Sequence, residues 1–233
     1  MSDLAPFVPW EELPALMDWR QGEHVSLIGP TGCGKTRLGL RLVEHRTATS
    51  SAWHSVAIGT KPKDSTLAQL VRRRESRWLK VTAWPPPPGA RRVVLWPRWR
   101  SSRDDARQRE VIAEAIEGMF STGGWCLFAD EVSYLARMLG LTRELEHVWQ
   151  QGRSLGLSLV AATQRPAWVP RALYSEAAHV FLWRLSDDED RRRVSGIGGA
   201  PSATVRNVIA TLPRYTALYV NARTGHLYTT RSP

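Results

Sequence analysis

The sequence predicts an α/β fold, in which a mainly parallel central sheet is flanked by helices and followed by a C-terminal β-hairpin. Three observations predict it: a glycine-rich turn at residues 29–36 joins an apolar strand to a helix, and two more apolar runs, at 125–129 and 155–163, end in polar residues. Central parallel strands are covered on both faces and therefore read as continuous apolar runs. The chain has 233 residues, enough for one such domain with a full core.

We expect a single domain with a lead-in segment (1–21), a sheet-forming core (22–185) and a helix and hairpin extension (186–233). In the lead-in segment, Trp10, Leu13, Leu16 and Trp19 share one face of a helix. This pattern indicates a short helix. The helix either covers the sheet edge or the base of a bound nucleotide, or simply packs on the core.

The stretch GPTGCGKT at residues 29–36 fills the phosphate-binding pattern G-x-x-x-x-G-K-[ST], between an apolar strand at 24–28 and a helix at 36–45. Its glycines let successive backbone N–H groups point at one phosphate, and the helix N-terminus adds a positive dipole end. We predict that Lys35 reaches the β and γ phosphates of a nucleoside triphosphate and that the Thr36 hydroxyl coordinates Mg²⁺. The alternative is a chance match in a glycine-rich turn. The predicted nucleotide-binding residues are Gly29, Pro30, Thr31, Gly32, Cys33, Gly34, Lys35, Thr36 and Arg37.

A second strand and helix are predicted at residues 52–59 and 64–72, with Asp64 as the helix N-cap. Lys61 and Lys63 lie on the loop between them. In a parallel sheet, this loop can lie at the edge where ligands bind.

Two further strands are predicted at residues 77–84 and 91–96. The proline loop between them, residues 85–89, cannot pair in a sheet and is expected to project from the body. A helix is predicted to begin at Ser102 or Asp104.

The net charge of +10 is concentrated in residues 72–109, which hold twelve basic and three acidic residues, a net of +9 that leaves +1 for the other 195 positions. Such a segment is typical of proteins that bind polyanions, and we predict that it contacts nucleic acid. The alternative is a solvated surface in an arginine-biased chain, which uses 28 Arg and only 4 Lys. The candidates for DNA contact flank the proline loop and the strand-to-helix connection: Arg91, Arg92, Arg98, Arg100 and Arg103.

The apolar strand at residues 125–129 ends in Asp130 and Glu131, which matches a Walker B element. The carboxyl end of a central parallel strand lies at the phosphate edge of the sheet. We predict that Asp130 holds Mg²⁺ and that Glu131 acts as the general base toward the attacking water. The alternative is a pair of helix-capping carboxylates, since residues 132–139 also fit a helix.

The apolar strand at residues 155–163 ends in Gln164 and is stopped by Pro166. An amide at this position can contact both the γ phosphate and the lytic water, so Gln164 is a candidate sensor of hydrolysis. Just upstream, Arg153 follows a helix that starts near Thr142 and is displayed on a turn. Arg153 is therefore either an arginine finger or a cation that balances the helix dipole.

The remaining chain extends the sheet. We predict a strand at 178–185, helices at 186–193 and 202–212, and a hairpin of strands 216–221 and 226–230 that turns at residues 223–225.

Cys33 and Cys126 lie in elements too specialised to suggest a disulfide bridge. The acidic start of the chain and the lack of an apolar run of about 18 residues lead us to expect a cytoplasmic protein without membrane insertion.

The order of three motifs, GPTGCGKT, WCLFADE and GRSLGLSLVAATQRP, resembles the core of the FtsK/HerA superfamily of DNA-pumping ATPases, including small phage-type genome-packaging ATPases. The resemblance covers residues 22–183, and the strand-ending ADE with the R-x-x-G-L-x-L-V-x-A-T-Q-R-P run is more specific than the P-loop.

The resemblance implies a RecA-like (ASCE) sheet, ATP hydrolysis with Mg²⁺, and a homo-oligomeric ring of five or six subunits with ATP between them. It also implies duplex DNA in the pore and a portal or other docking protein as a partner. Carried over residue by residue, it assigns nucleotide binding to Gly29–Thr36, Mg²⁺ binding and hydrolysis to Asp130 and Glu131, sensing to Gln164 and the trans-acting finger to Arg153. The expected function is ATP-driven translocation of double-stranded DNA in genome packaging. The alternatives are a nucleotide-gated regulatory ATPase and a motor for protein or phage export.

Overall fold

The computed structural model describes residues 5–50 and 52–233. Nine strands in these residues form one sheet. In chain order they are β1 (His24–Ile28), β2 (His54–Ile58), β3 (Leu79–Val81), β4 (Arg92–Leu95), β5 (Trp125–Ala129), β6 (Ser158–Thr163), β7 (Ala177–Leu182), β8 (Thr216–Asn221) and β9 (Leu227–Arg231). In space their order is β3-β4-β2-β5-β6-β1-β7-β8-β9.

The same residues contain eight α-helices. They are α1 (Leu13–Met17), α2 (Lys35–Thr49), α3 (Ser65–Arg72), α4 (Asp105–Thr122), α5 (Thr142–Gln151), α6 (Ala172–Ser175), α7 (Asp188–Val194) and α8 (Ser202–Thr211). None of these helices is both long enough and apolar enough to span a membrane.

The first seven strands are mutually parallel. Strand β8 runs antiparallel to β7, and β9 runs antiparallel to β8. Every residue of β1, β5 and β6 is buried, because helices cover both faces of the sheet. The predicted mainly parallel α/β sheet with a C-terminal hairpin is therefore confirmed.

The two faces of the sheet carry separate hydrophobic clusters. Successive residues of a strand point to opposite faces, so Leu127 of β5 belongs to one cluster and Phe128 to the other. Helices α1, α2 and α3 cover the Phe128 face, whereas α4, α5 and α8 cover the Leu127 face. Helix α2 lies so close to the sheet that a Cβ at Gly39 would be 2.3 Å from the Phe128 ring.

The short helix predicted in the lead-in segment is α1, but it spans only Leu13–Met17, and Leu16, which was predicted to share the face of Leu13, is exposed. Leu13 and Met17 of α1 are fully buried in the cluster on the α2 face. The preceding chain pairs with the hairpin, since Val8 N–H donates to Thr229 O at 2.8 Å and Thr229 N–H donates to Pro6 O at 2.9 Å. The lead-in segment thus covers the sheet edge and also contributes to the core.

Several predicted elements differ in the structure. The strand predicted at 77–84 is reduced to β3, because Arg77 has a left-handed backbone (φ 55°) and the prolines after Trp84 cannot pair. The predicted projecting loop is anchored to the body, since the Trp84 ring packs edge-on against Trp125 with 5.2 Å between centroids. The helix predicted at 132–139 is present over residues 132–138, but its last five residues, Tyr134–Met138, are π-helical. By contrast, Asp64 caps α3 as predicted and accepts from Leu67 N–H at 3.0 Å.

A buried histidine connects three elements at the edge where β1 begins. His24 is only 3% exposed. Its Nδ1 accepts from Leu159 N–H at 3.0 Å, so the ring is neutral and its Nε2–H donates to Trp149 O at 3.2 Å. Burial lowers the pKa of His24 from 6.5 to about 4, with a smaller lowering by Arg153 and opposing effects of the Trp149 bond and Glu23.

We expect the free energy of unfolding to decrease as the pH falls from 7 to 4. The unfolded chain takes up a proton at His24 near pH 6.5, whereas the folded protein resists protonation until about pH 4. For His24 alone the loss amounts to about 3 kcal/mol at pH 4. Urea unfolding across this pH range measures the slope, and His24→Gln should reduce it more than His54→Gln, since His54 is less buried. Equal slopes in the wild type and His24→Gln would contradict the assignment.

Candidate active site

The glycine-rich stretch predicted to bind phosphate forms a loop from the end of β1 to the start of α2. Gly34 is the residue before α2 and has φ 108°, a conformation that side chains other than glycine rarely adopt. Lys35 is 7% exposed, and its Nζ donates to Gly29 O at 2.7 Å and to Pro30 O at 2.9 Å. The loop therefore wraps around its own lysine and holds the ammonium at the end of β1.

The carboxylate at the end of β5 lies against the start of α2. The Thr36 hydroxyl donates to Asp130 Oδ1 at 2.5 Å. Asp130 Oδ2 also forms an ion pair with Lys61 Nζ at 3.4 Å, from the loop after β2. A hydroxyl and a carboxylate are oxygen ligands that suit Mg²⁺, so the two residues brought together here fit the predicted metal site.

A chain of hydrogen bonds crosses the ends of β1, β6 and β5. Thr31 Oγ1 of the loop donates to Gln164 Oε1 at 2.7 Å, and Gln164 Nε2 donates to Glu131 Oε2 at 2.9 Å. The other carboxylate oxygen of Glu131 accepts from Ser133 Oγ at 2.5 Å. Both oxygens of Glu131 are thus oriented, one of them by the predicted sensor.

Arg153, the predicted arginine finger, does not lie at the carboxyl ends of these strands. Arg153 is exposed on the 3₁₀ turn Gly152–Leu155, which leads into β6. The backbone of Arg153 packs on Gly22, where a Cβ would be 2.6 Å from Arg153 O. Because β6 runs from this turn to Gln164, Arg153 lies at the amino ends of the strands, whereas Lys35 lies at their carboxyl ends.

The five arginines predicted to contact DNA lie at both ends of β4, two at its start and three after its end. Arg91 and Arg92 lie where β4 begins and are half-buried. Arg91 donates to the carbonyls of Thr47, Ser50 and Trp53, and Arg92 donates to the carbonyl of Ser76 at 2.9 Å and, more weakly, to that of Glu44. These two guanidinium groups bond the protein's own backbone.

The other three arginines follow the carboxyl end of β4, at the edge that holds Lys35 and Asp130. Arg98 and Arg103 are exposed. The side chain of Arg100 is 87% exposed and pairs with Asp104 at 3.3 Å. We call residues 98–103 the basic loop.

Sequence reasoning did not assign a role to Lys61 or Ser133. A role for Lys61 could have been predicted from its position after the second strand, because ligands bind at the carboxyl ends of parallel strands. Ser133 follows Glu131 by two residues and carries no pattern of its own. Only the fold shows that its hydroxyl reaches the carboxylate.

No family model and no curated protein matches the sequence. Solved structures do match the fold. The genome packaging NTPase B204 from Sulfolobus turreted icosahedral virus 2, in complex with ATP-gammaS, has a TM-score of 0.65 and 16% identity over 91% of this chain and 97% of that chain.

VirB4 of Thermoanaerobacter pseudethanolicus has a TM-score of 0.68 and 10% identity over 90% of this chain and 89% of that chain. EssC (ATPases 2 and 3) from Geobacillus thermodenitrificans has a TM-score of 0.58 and 12% identity, and the match covers 91% of this chain and 39% of that chain. At this identity the likeness shows the fold alone. The chain has the same RecA-like, mainly parallel α/β fold as these three proteins.

Proposed function

We propose that the protein hydrolyses ATP with Mg²⁺ at the carboxyl ends of β1, β5 and β6. The observation that carries this proposal is the hydrogen-bond chain from Thr31 through Gln164 to Glu131. It places a carboxylate, an amide and the phosphate-binding loop in direct contact, which is the arrangement that the attack of water on a γ phosphate needs.

In this proposal each residue has one task. Lys35 leaves its two carbonyl partners and contacts the β and γ phosphates, while Thr36 and Asp130 hold Mg²⁺. Bound Mg²⁺ neutralises charge that develops on the phosphate oxygens. Glu131 accepts the proton of the attacking water, and Gln164 responds to loss of the γ phosphate because it bonds both Glu131 and the loop.

Glu131→Gln should abolish turnover while it leaves ATP binding intact, because it removes the base but keeps the side-chain shape and the Mg²⁺ site. We expect kcat to fall by about 100-fold or more. Phosphate release measures turnover, and titration with a fluorescent ATP analogue measures binding. Lys35→Ala is the comparison variant and should lose nucleotide binding. Near-normal turnover in Glu131→Gln would exclude Glu131 as the base.

We further propose that the protein works as a ring of five or six subunits, in which Arg153 acts on the ATP of a neighbouring subunit. The support is positional: Arg153 is exposed and lies at the opposite end of β6 from Lys35, so it does not contact the nucleotide site of its own subunit. The alternative role of Arg153 is to offset the negative end of the α5 helix dipole. Mixing two inactive variants separates these roles.

Arg153→Ala and Glu131→Gln proteins should each be inactive as homo-oligomers, and a mixture should regain part of the activity. In a mixed ring, some interfaces join an intact Glu131 to an intact Arg153 from the next subunit. Loss of a finger can cost about 10³-fold in rate. Phosphate release measured across mixing ratios tests this expectation. A mixture as inactive as its components would assign Arg153 a structural role.

We propose double-stranded DNA as the translocated substrate, genome packaging as the process, and a portal or other docking protein as the partner of the ring. The structural likeness to a genome packaging NTPase supports this choice. The basic loop supports it independently, because Arg98, Arg100 and Arg103 extend from the carboxyl edge of the sheet. Arg91 and Arg92 are left out, since they bond backbone carbonyls.

Changing Arg98, Arg100 and Arg103 together to Gln should weaken DNA binding and abolish DNA-stimulated turnover, with ATP binding unchanged. Arginines that neutralise phosphates release counterions, so the log–log salt slope should fall by about 0.9 for each phosphate that is no longer neutralised, up to three phosphates. Fluorescence anisotropy with duplexes of different sequence and salt measures affinity, which should depend little on sequence.

The matched control is the triple change to Gln at Arg20, Arg41 and Arg107, which removes the same charge from side chains paired with neighbouring carboxylates. If both triple variants bind DNA alike, the basic loop does not contact it. ATP turnover that DNA never alters would favour a nucleotide-gated regulatory ATPase or an export motor.

A further inference from the structure

The phosphate-binding loop shares a cavity with the C-terminal hairpin. The cavity measures about 490 Å³ and is lined both by Lys35 and Thr36 and by Tyr215, Arg231 and Ser232. This volume lies within the range of small-molecule sites. Lys35 and Thr36 line one part of it, and Tyr215, Arg231 and Ser232 line another.

The hairpin is fixed to the loop at this cavity. Ser232 Oγ accepts from Trp183 Nε1 at 3.1 Å, and Ser232 lies so close to the loop that a Cβ at Gly34 would be 2.6 Å from it. Ser232 N–H in turn donates to Tyr215 O at 2.8 Å. The position of Tyr215 is therefore set relative to the phosphate-binding loop.

Tyr215 has the backbone and exposure of a ligand-contacting residue. Its φ is 65°, which is uncommon for a tyrosine, and residues held in such conformations concentrate at ligand sites. The residue is 37% exposed. Arg214 stacks on the ring at 4.7 Å and lines a second cavity of about 370 Å³, which Tyr215 also borders. Tyr215 also lines the 490 Å³ cavity, so an aromatic residue lies beside the phosphate-binding loop.

We propose that Tyr215 stacks on the base of the bound nucleotide, and that the C-terminal hairpin thereby forms the nucleoside half of the site. This inference rests on the proposed nucleotide binding at Lys35 and Thr36. Stacking on a tyrosine accepts any base with a π-face, so the subsite favours nucleotides over free polyphosphates and discriminates little among bases.

The test compares MgATP with inorganic tripolyphosphate, which has the phosphates without the nucleoside. Isothermal titration of the wild type should show tighter binding of MgATP. Tyr215→Asn removes the ring but keeps a residue type that tolerates positive φ. It should weaken MgATP binding about 5- to 100-fold and leave tripolyphosphate binding unchanged. Tyr215→Phe should bind MgATP within about threefold of the wild type, because it keeps the stacking surface.

Phe7→Asn, which changes another exposed aromatic side chain away from the cavity, is the control. Unaltered MgATP affinity in Tyr215→Asn would overturn the stacking role. Equal losses for MgATP and tripolyphosphate would overturn it as well, because they would show a distorted loop. A wild type that binds neither ligand would contradict the nucleotide site itself, whereas a wild type that binds both equally would contradict only the nucleoside subsite.

Discussion

The candidate site depends on β1, β6 and β5 lying side by side and parallel in the sheet. Neighbouring strands of a sheet lie about 4.8 Å apart, and parallel strands end at the same edge. Ile28 pairs with Thr163, and Phe128 with Val160. The residues that follow these strands therefore emerge side by side. Gln164 can then accept a hydrogen bond from Thr31 in the loop and donate one to Glu131.

Much of this arrangement could be predicted from the sequence, because buried parallel strands are continuous apolar runs and the phosphate-binding pattern dictates its own flanks. The bounds of β1 and the cap at Asp64 follow from such local rules. The order of strands across the sheet has no comparable local signal. Ser133 lies in a short helix and Tyr215 on a turn, and no sequence pattern marks either residue. Their contacts at the site come only from tertiary packing.

The arginines show a second limit of sequence reasoning. Arg91 and Arg98 lie seven positions apart in one basic segment, yet they lie at opposite ends of β4. Arg91 uses its donors on carbonyls near the end of α2, where backbone oxygens lack helical partners. Arg98 extends from the sheet edge. Net charge along a chain therefore overestimates the charge that a polyanion can meet, since part of it serves the fold.

At the proposed metal site, Asp130 is paired with Lys61. Any divalent cation that binds Asp130 competes with an ammonium 3.4 Å away. The Lys61 side chain is 55% exposed, and pairs of this kind contribute less than about 1 kcal/mol, so displacement costs little. The backbone of Lys61 stays fixed, because its carbonyl accepts from Trp96 Nε1 at 2.7 Å. Trp96 comes two residues before Arg98, so a released Lys61 side chain would add a positive charge beside the basic loop whenever a metal ion enters.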